Sequence, residues 1–329
     1  MSDREIDSYL FLNNEEREVE KFVGIEAFAT SEIGGIKGEY KSNLKDFIVK
    51  EIDVNGKTLN IKEDNRITEF SKELKDQYTT FNLIKINRDT FEAVRKISKT
   101  LKIPYNLFNY SGLKDKNSIS VQRVSIKGDY IKELRKLKIN DIFIRNIRPT
   151  RKPIKLGSHQ GNNFTIIIRN IVSKKNLKSQ VENLINFLNK YGFPNYFGLQ
   201  RFGNYRPNSH IVGRNLLEGD FEKAFKEFVS TTYSTESLES KIVRREFRYN
   251  GNLEKAYNEF PKNLKYEKNM IKYLINNPED YEGCIKTLPN DLIKLLISSF
   301  QSYLFNKVLS KRVEKGFSLF KPVRGDVIG

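Results

Sequence analysis

The feature that most constrains this fold is a change of hydrophobic period near residue 171. Before it, short runs of β-branched and aromatic residues alternate with polar ones. Residues 46–52 (DFIVKEI), 79–87 (TTFNLIKIN) and 164–171 (FTIIIRNI) read as strands. Between 119 and 126 the apolar phase slips from Ile119/Val121 to Val124/Ile126, which predicts a β-bulge. Residues 89–101 read as a helix, with Phe91, Val94, Ile97 and Leu101 on one face and Pro104 beyond its end. Beyond residue 171, Leu177, Val181, Leu184, Ile185 and Leu188 follow helical spacing as far as Gly192. Leu292, Leu295, Leu296, Ser299, Leu304 and Val308 repeat it over 291–313. The chain of 329 residues is long enough for two domains. The pattern predicts an α+β sheet domain over 1–173 and a mainly helical domain over 174–329, joined near 172–175 (VSKK).

Charge narrows the partners. The formal net charge is +17, from 58 Lys+Arg against 41 Asp+Glu. Residues 1–30 hold eight acids and three bases, so the remainder carries 55 basic and 33 acidic residues, or +22. A folded surface facing phosphates is one reading of this excess, and a merely Lys-rich soluble protein is the other. Cys284 is the single cysteine, which excludes a disulfide framework and favours a reducing compartment. His159 and His210 are far apart in sequence, so no His/Cys zinc constellation is expected. No 18-residue apolar run and no basic-then-apolar N-terminus is present, which predicts a cytoplasmic protein without a membrane span. P-loop and Rossmann fingerprints are both absent, so no nucleotide cofactor is indicated.

Four local patterns have chemical potential, each with a plainer alternative. In 110–116 (YSGLKDK), Asp115 lies on a glycine turn between two lysines, where positive charge favours the ionised form. It reads as a nucleophile or base, or as a solvated turn residue. Residues 145–155 (RNIRPTRKPIK) contain five cations, Arg145, Arg148, Arg151, Lys152 and Lys155, and no acid. They predict a phosphate-binding loop or a solvated connector. Gly161-Asn162-Asn163-Phe164 reads as a polar turn entering a strand; its amide and ring suit a base, or a hairpin with a core Phe. Residues 194–203 (PNYFGLQRFG) set three aromatics around Arg201, which suits stacking on RNA or a tight core loop. A Ser/His/Asp triad through His159 or His210 lacks a nucleophile elbow.

These segments occur together and in order. With 41–47 (KSNLKDF), 110–122 (YSGLKDKNSISVQ), 157–169 (GSHQGNNFTIIIR), 194–203 and 301–306 (QSYLFN), the chain resembles the tRNA pseudouridine synthase D (TruD) family over roughly residues 22–329. The resemblance implies a pseudouridine-synthase mixed, mainly antiparallel sheet plus a mostly helical inserted domain. It implies an isomerase acting without cofactor on a uridine of tRNA, typically position 13 in the D arm. Asp115 matches the catalytic aspartate. Phe164 matches the aromatic that stacks on the target uracil, Asn162 an active-site Asn, and Lys41 and Phe47 an active-site basic residue and a nearby Phe. Ser118 and Ser120 stand where Ala and Thr are usual. Arg145, Arg148, Arg151, Lys152 and Arg201 are the expected RNA contacts, and the oligomeric state is left open. Family members continue past the point matching Gly329 with a Leu-Pro-x-Gly-x-Tyr-Ala-Thr-like segment that returns to the sheet. Its absence from this sequence predicts an incomplete sheet, and makes a catalytically silent RNA-binding protein the alternative function.

Overall fold

The computed structural model describes residues 18–36, 38–62, 69–71, 77–172 and 176–327. The chain divides into two compact units, one comprising residues 35–177 and the other residues 1–34 with 178–329. The described chain opens with a short helix, α1 (Glu18–Phe22), which belongs to the second unit. The sequence boundary had grouped this N-terminal stretch with the sheet. Of the expected junction, only Val172 lies within the described residues.

The first unit is built on β2 (Phe47–Ile52), β3 (Tyr78–Ile86), β4 (Phe108–Tyr110), β5 (Ile119–Lys127), β6 (Ile142–Thr150) and β7 (Gly161–Ile166). Their spatial order is β6-β3-β5-β2-β7, with β4 beside the far end of β5. Only β2 and β5 run parallel; the other pairs are antiparallel. A two-residue ladder joins β1 (Glu39–Tyr40) to β8 (Ile168–Arg169). The expected strand over 164–171 is therefore split at Ile167, and its first half is the edge strand β7.

The phase slip in β5 is not a bulge. Tyr78 to Ile86 pair with Lys127 to Ile119 in unbroken register. Val124 and Ile126 face a core with Phe81, Leu83, Val94 and Ile97, whereas Val121 faces Leu59 and Ile84 on the other side. Both faces of this strand are covered, so the apolar residues change sides without any insertion. The irregularity lies instead in β6, where the pairing shifts between Thr80 and Asn82, next to Asn146 with φ 50°. α2 (Thr90–Leu101) starts on Asp89, whose carboxylate accepts from the Glu92 amide, and buries Ala93, Val94 and Ile97. Phe91, expected on the buried face, is exposed. α3 (Ile131–Lys136) adds Leu134 to the same core.

The second unit is helical, as the period predicted: α4 (Leu177–Tyr191), α5 (Ser209–Leu217), α6 (Phe221–Ser230), α7 (Leu238–Asn250), α8 (Leu253–Glu259), α9 (Lys265–Asn276), α10 (Tyr281–Lys286) and α11 (Asn290–Glu314). Its core gathers Val212, Phe225, Val229, Phe247, Met270, Ile271 and Leu296. α5 and α11 touch at Gly213, where a Cβ would lie 2.1 Å from the Leu296 carbonyl oxygen. Beneath the core is a charged cluster. Arg244, 1% exposed, donates to Glu236 at 2.9 Å, Glu267 at 2.7 Å and the Val229 carbonyl at 2.7 Å.

Candidate active site

The turn carrying Asp115 connects β4 to β5 and is held from beneath by side chains of the sheet and of α2. Lys114 does not flank Asp115 as a charge partner. Its ammonium lies 2.9 Å from Glu51 Oε2, with both side chains 2% exposed. Glu51 also accepts from Ser111 Oγ at 2.8 Å and from the Arg123 amide at 3.0 Å. Thr90 Oγ1 accepts from the Lys114 amide and donates to Gln122 Oε1, while Gln122 Nε2 donates to the Gly112 carbonyl. Lys85 Nζ donates to the carbonyls of Asp115 at 2.6 Å and Lys114 at 3.0 Å. Ser118 adds a hydroxyl that donates to the Asp115 carbonyl at 2.7 Å, so this departure from the family pattern reinforces the turn. With its backbone held, the Asp115 carboxylate stays partly exposed.

Lys41 provides the counter-charge. Its Nζ lies 3.7 Å from Asp115 Oδ2, the side chains being 27% and 40% exposed. The same ammonium sits 4.1 Å from the centre of the Phe47 ring. Lys41 adopts φ 60°, a left-handed conformation that non-glycine residues seldom take. Nearby, buried Asp46 accepts from the Asn43 amide at 2.9 Å and, bidentately, from Arg169 at 2.6 and 2.7 Å. Those Arg169 bonds, with further help from Asn43, hold the Asp46 carboxyl at about 2, against a smaller upward push from burial.

Because this value lies below the ordinary 3.8, the stabilisation is complete above 3.8 and is lost as pH falls through about 2. The gap in melting temperature between wild type and Asp46→Asn is therefore expected to be full near neutral pH and to close on acidification towards pH 2. A gap independent of pH would contradict this linkage.

The strand register brings the remaining candidates to one face. Phe47, Val49 and Glu51 pair with Ile166, Phe164 and Asn162, and paired residues share a face. The Phe47 and Phe164 rings are 5.8 Å apart. Phe164 is 51% exposed, so it is a presented ring and not the core Phe of a hairpin. Gly161 to Phe164 are strand residues, because β2 supplies ladder partners for all four; the polar turn lies before them. Asn162 Oδ1 is buried and has no hydrogen-bond partner among the described residues. The same holds for His159 Nδ1.

The expected basic loop is also largely strand. Arg145 and Arg148 lie in β6 and pair with Asn82 and Thr80, on the face opposite Leu83 and Lys85 and hence opposite the Asp115 turn. β6 tolerates Pro149 because it is an edge strand. From β6 to β7 is four strand spacings, roughly 19 Å. Arg151 and Lys152 are exposed at the bend that follows.

Arg201 lies in the helical unit, and its segment is a structural tie. Arg201 Nε donates to Ser302 Oγ at 2.9 Å and its guanidinium lies over Phe197. Asn306 of α11 accepts from the Phe197 amide and donates to the carbonyls of Phe197 and Val23, each at 2.9 Å. The motifs at 194–203 and 301–306 thus bind each other. His210 is packed among Phe22, Phe202 and Tyr303, and burial lowers its pKa to about 4, as expected of a neutral core side chain.

The model of the tRNA pseudouridine synthase D (TruD) family matches residues 22–329. This chain belongs to the TruD family. A Methanosarcina barkeri protein named probable tRNA pseudouridine synthase D is 33% identical over 313 residues, covering 94% of this chain and 68% of that relative. A Methanocaldococcus jannaschii protein named probable tRNA pseudouridine synthase D 1 is 37% identical over 298 residues, with 90% and 72% covered. A crystal structure of a Methanosarcina mazei protein described as TruD superimposes with a TM-score of 0.79 at 32% identity, over 94% of this chain and 68% of that one. As a TruD member the chain is an isomerase of the pseudouridine-synthase type, with the mixed α+β fold of that class. Among its described residues no helix is long and apolar enough to cross a membrane.

Proposed function

We propose that this chain converts the uridine at position 13 of the tRNA D arm to pseudouridine, with Asp115 as the essential carboxylate. The observation that carries the reading is the continuous set formed by Asp115, Lys41, Phe47 and Phe164 at one end of the sheet. The reaction breaks the N1–C1′ bond, turns the uracil, and joins C5 to C1′. An ionised Asp115 would attack C1′ or stabilise its cationic character. Lys41 keeps a positive charge beside it. The uridine has to leave its stack to reach a carboxylate on a protein surface. Phe164 offers an exposed ring for the flipped base, and the unpartnered Asn162 carbonyl oxygen suits a base N–H donor. Arg151 and Lys152, exposed at the bend after β6, are cations that could meet phosphates. No external oxidant or group donor is needed, because every heavy atom of the uridine is kept: the C5 hydrogen leaves to solvent as C5–C1′ forms, and N1, freed from C1′, gains a proton.

The test is tritium release from tRNA carrying C5-labelled uridine, followed by mapping of the modified position. Release is expected with a U13 transcript and is expected to disappear when position 13 is changed to cytidine. Undiminished release from the changed transcript would move the target elsewhere, and free uracil as the product would replace isomerisation by hydrolysis. The alternative of a silent RNA-binding chain would require tRNA binding without any release.

A further inference from the structure

Lys85 has no part in the reading above beyond holding a turn, yet its surroundings are unusual. It lies on β3, an inner strand, in phase with Phe81 and Leu83, and is 0% exposed. Its three hydrogens go to the carbonyls of Arg88 at 2.6 Å, Lys114 at 3.0 Å and Asp115 at 2.6 Å. All three acceptors are neutral. Burying an ammonium without a directly bonded anion is costly, and an apolar side chain would fill an inward β3 position at less cost. We propose that Lys85 is a positioning residue for the isomerisation. It fixes the Asp115 backbone and places an interior positive charge close to the carboxylate. This inference rests on the pseudouridine-synthase reading of Asp115.

The neighbouring charges support it. The nearby carboxylates are already engaged, Glu51 by Lys114 and Glu92 and Asp141 by Arg88, and none of them is an ion-pair partner of Lys85. Burial lowers the Lys85 ammonium from 10.5 to about 8; Asp115 and Asp89 oppose that shift and Lys114 reinforces it. The sign of the linkage follows. Between about 8 and 10.5 the folded chain has lost the proton that the unfolded chain still binds, so this group raises stability as pH increases. Over the same interval the positive charge close to Asp115 disappears. A merely structural Lys85 makes activity follow stability. A positioning charge makes activity fall while stability holds or rises.

The experiment measures steady-state tritium release from labelled tRNA, at concentrations spanning KM, between pH 6 and 9, with melting curves at each pH. Wild type is expected to lose rate with a midpoint near pH 8 without losing melting temperature. Lys85→Met is expected to lose about 10²-fold in kcat at pH 7 with KM for tRNA little changed, and to lack the limb near pH 8. A Lys85→Met enzyme with wild-type kcat, or one that keeps that limb, overturns the proposal. If Lys85→Met does not fold, the wild-type profile decides alone, and a flat rate from pH 6 to 9 overturns it. Wild type that releases no tritium at any pH defeats the pseudouridine-synthase reading and the inference with it.

Discussion

Asp115→Asn should lower tritium release from C5-labelled tRNA by at least about 10³-fold, the upper part of the range for losing one preorganised electrostatic group. Binding of tRNA should be largely retained. The turn is fastened through the Asp115 carbonyl, by Lys85 and Ser118, and through the Lys114 side chain, by Glu51; none of these bonds uses the Asp115 carboxylate. Asn keeps the size and the backbone ties and removes only the negative charge. The Lys41–Asp115 pair is 3.7 Å long and partly exposed, so its loss changes stability by no more than about 1 kcal/mol. A fall in rate with an unchanged melting curve therefore reports chemistry. Full release by the variant would remove Asp115 from the reaction. A loss beyond about 10⁴-fold would favour a covalent role over electrostatic stabilisation.

The largest effect on stability is expected in the helical unit. Arg244→Ala leaves the buried carboxylates of Glu236 and Glu267 without their nearest cation, an arrangement that typically costs about 3–5 kcal/mol. Arg206 approaches the same two acids at 3.4 and 3.7 Å and offsets part of the loss, which places the expectation near 3 kcal/mol. For a unit of this size that corresponds to a fall in melting temperature of roughly 6–12 °C. Adding Glu236→Gln and Glu267→Gln to Arg244→Ala should recover part of it, because the orphaned charges are then gone. If the triple variant is less stable than Arg244→Ala, the penalty lies in packing around the guanidinium instead of in unpaired charge.

Much of this arrangement was legible because periodicity reports burial. Most strands follow it directly, and the helices near 177–191 and 290–314 form where the period placed them. The first of these helices, however, fully buries no side chain, and in the second Leu295, Leu304 and Val308 of the expected apolar face are exposed while Leu296 and Ser299 are buried. Periodicity also misled where a strand is covered on both faces, as in β5, since a change of buried side looks like an inserted residue. Arg145 and Arg148 looked like loop residues because Pro149 suggests a break, yet an edge strand accommodates it. Asp115, Phe164 and Asn162 were found through their motifs. The residues that hold them, Lys85 and Glu51, were missed although a signal was present. Lys85 follows Phe81 and Leu83 at a spacing of two, and Glu51 follows Phe47 and Val49 in the same way, so each charge falls on an inward position.

The fastenings of the Asp115 turn also bear on how such a motif can spread among proteins. Glu51 lies 60 residues before Ser111, Lys85 lies 30 before Asp115, and Thr90 lies 24 before Lys114. The segment from Tyr110 to Gln122 includes only the Ser118 and Gln122 contacts among those holding its turn. Moved alone into another scaffold, it would carry its letters without its shape. The shape of the site therefore resides in the sheet with its two inward-facing charges, Glu51 and Lys85, and not in the short segment alone.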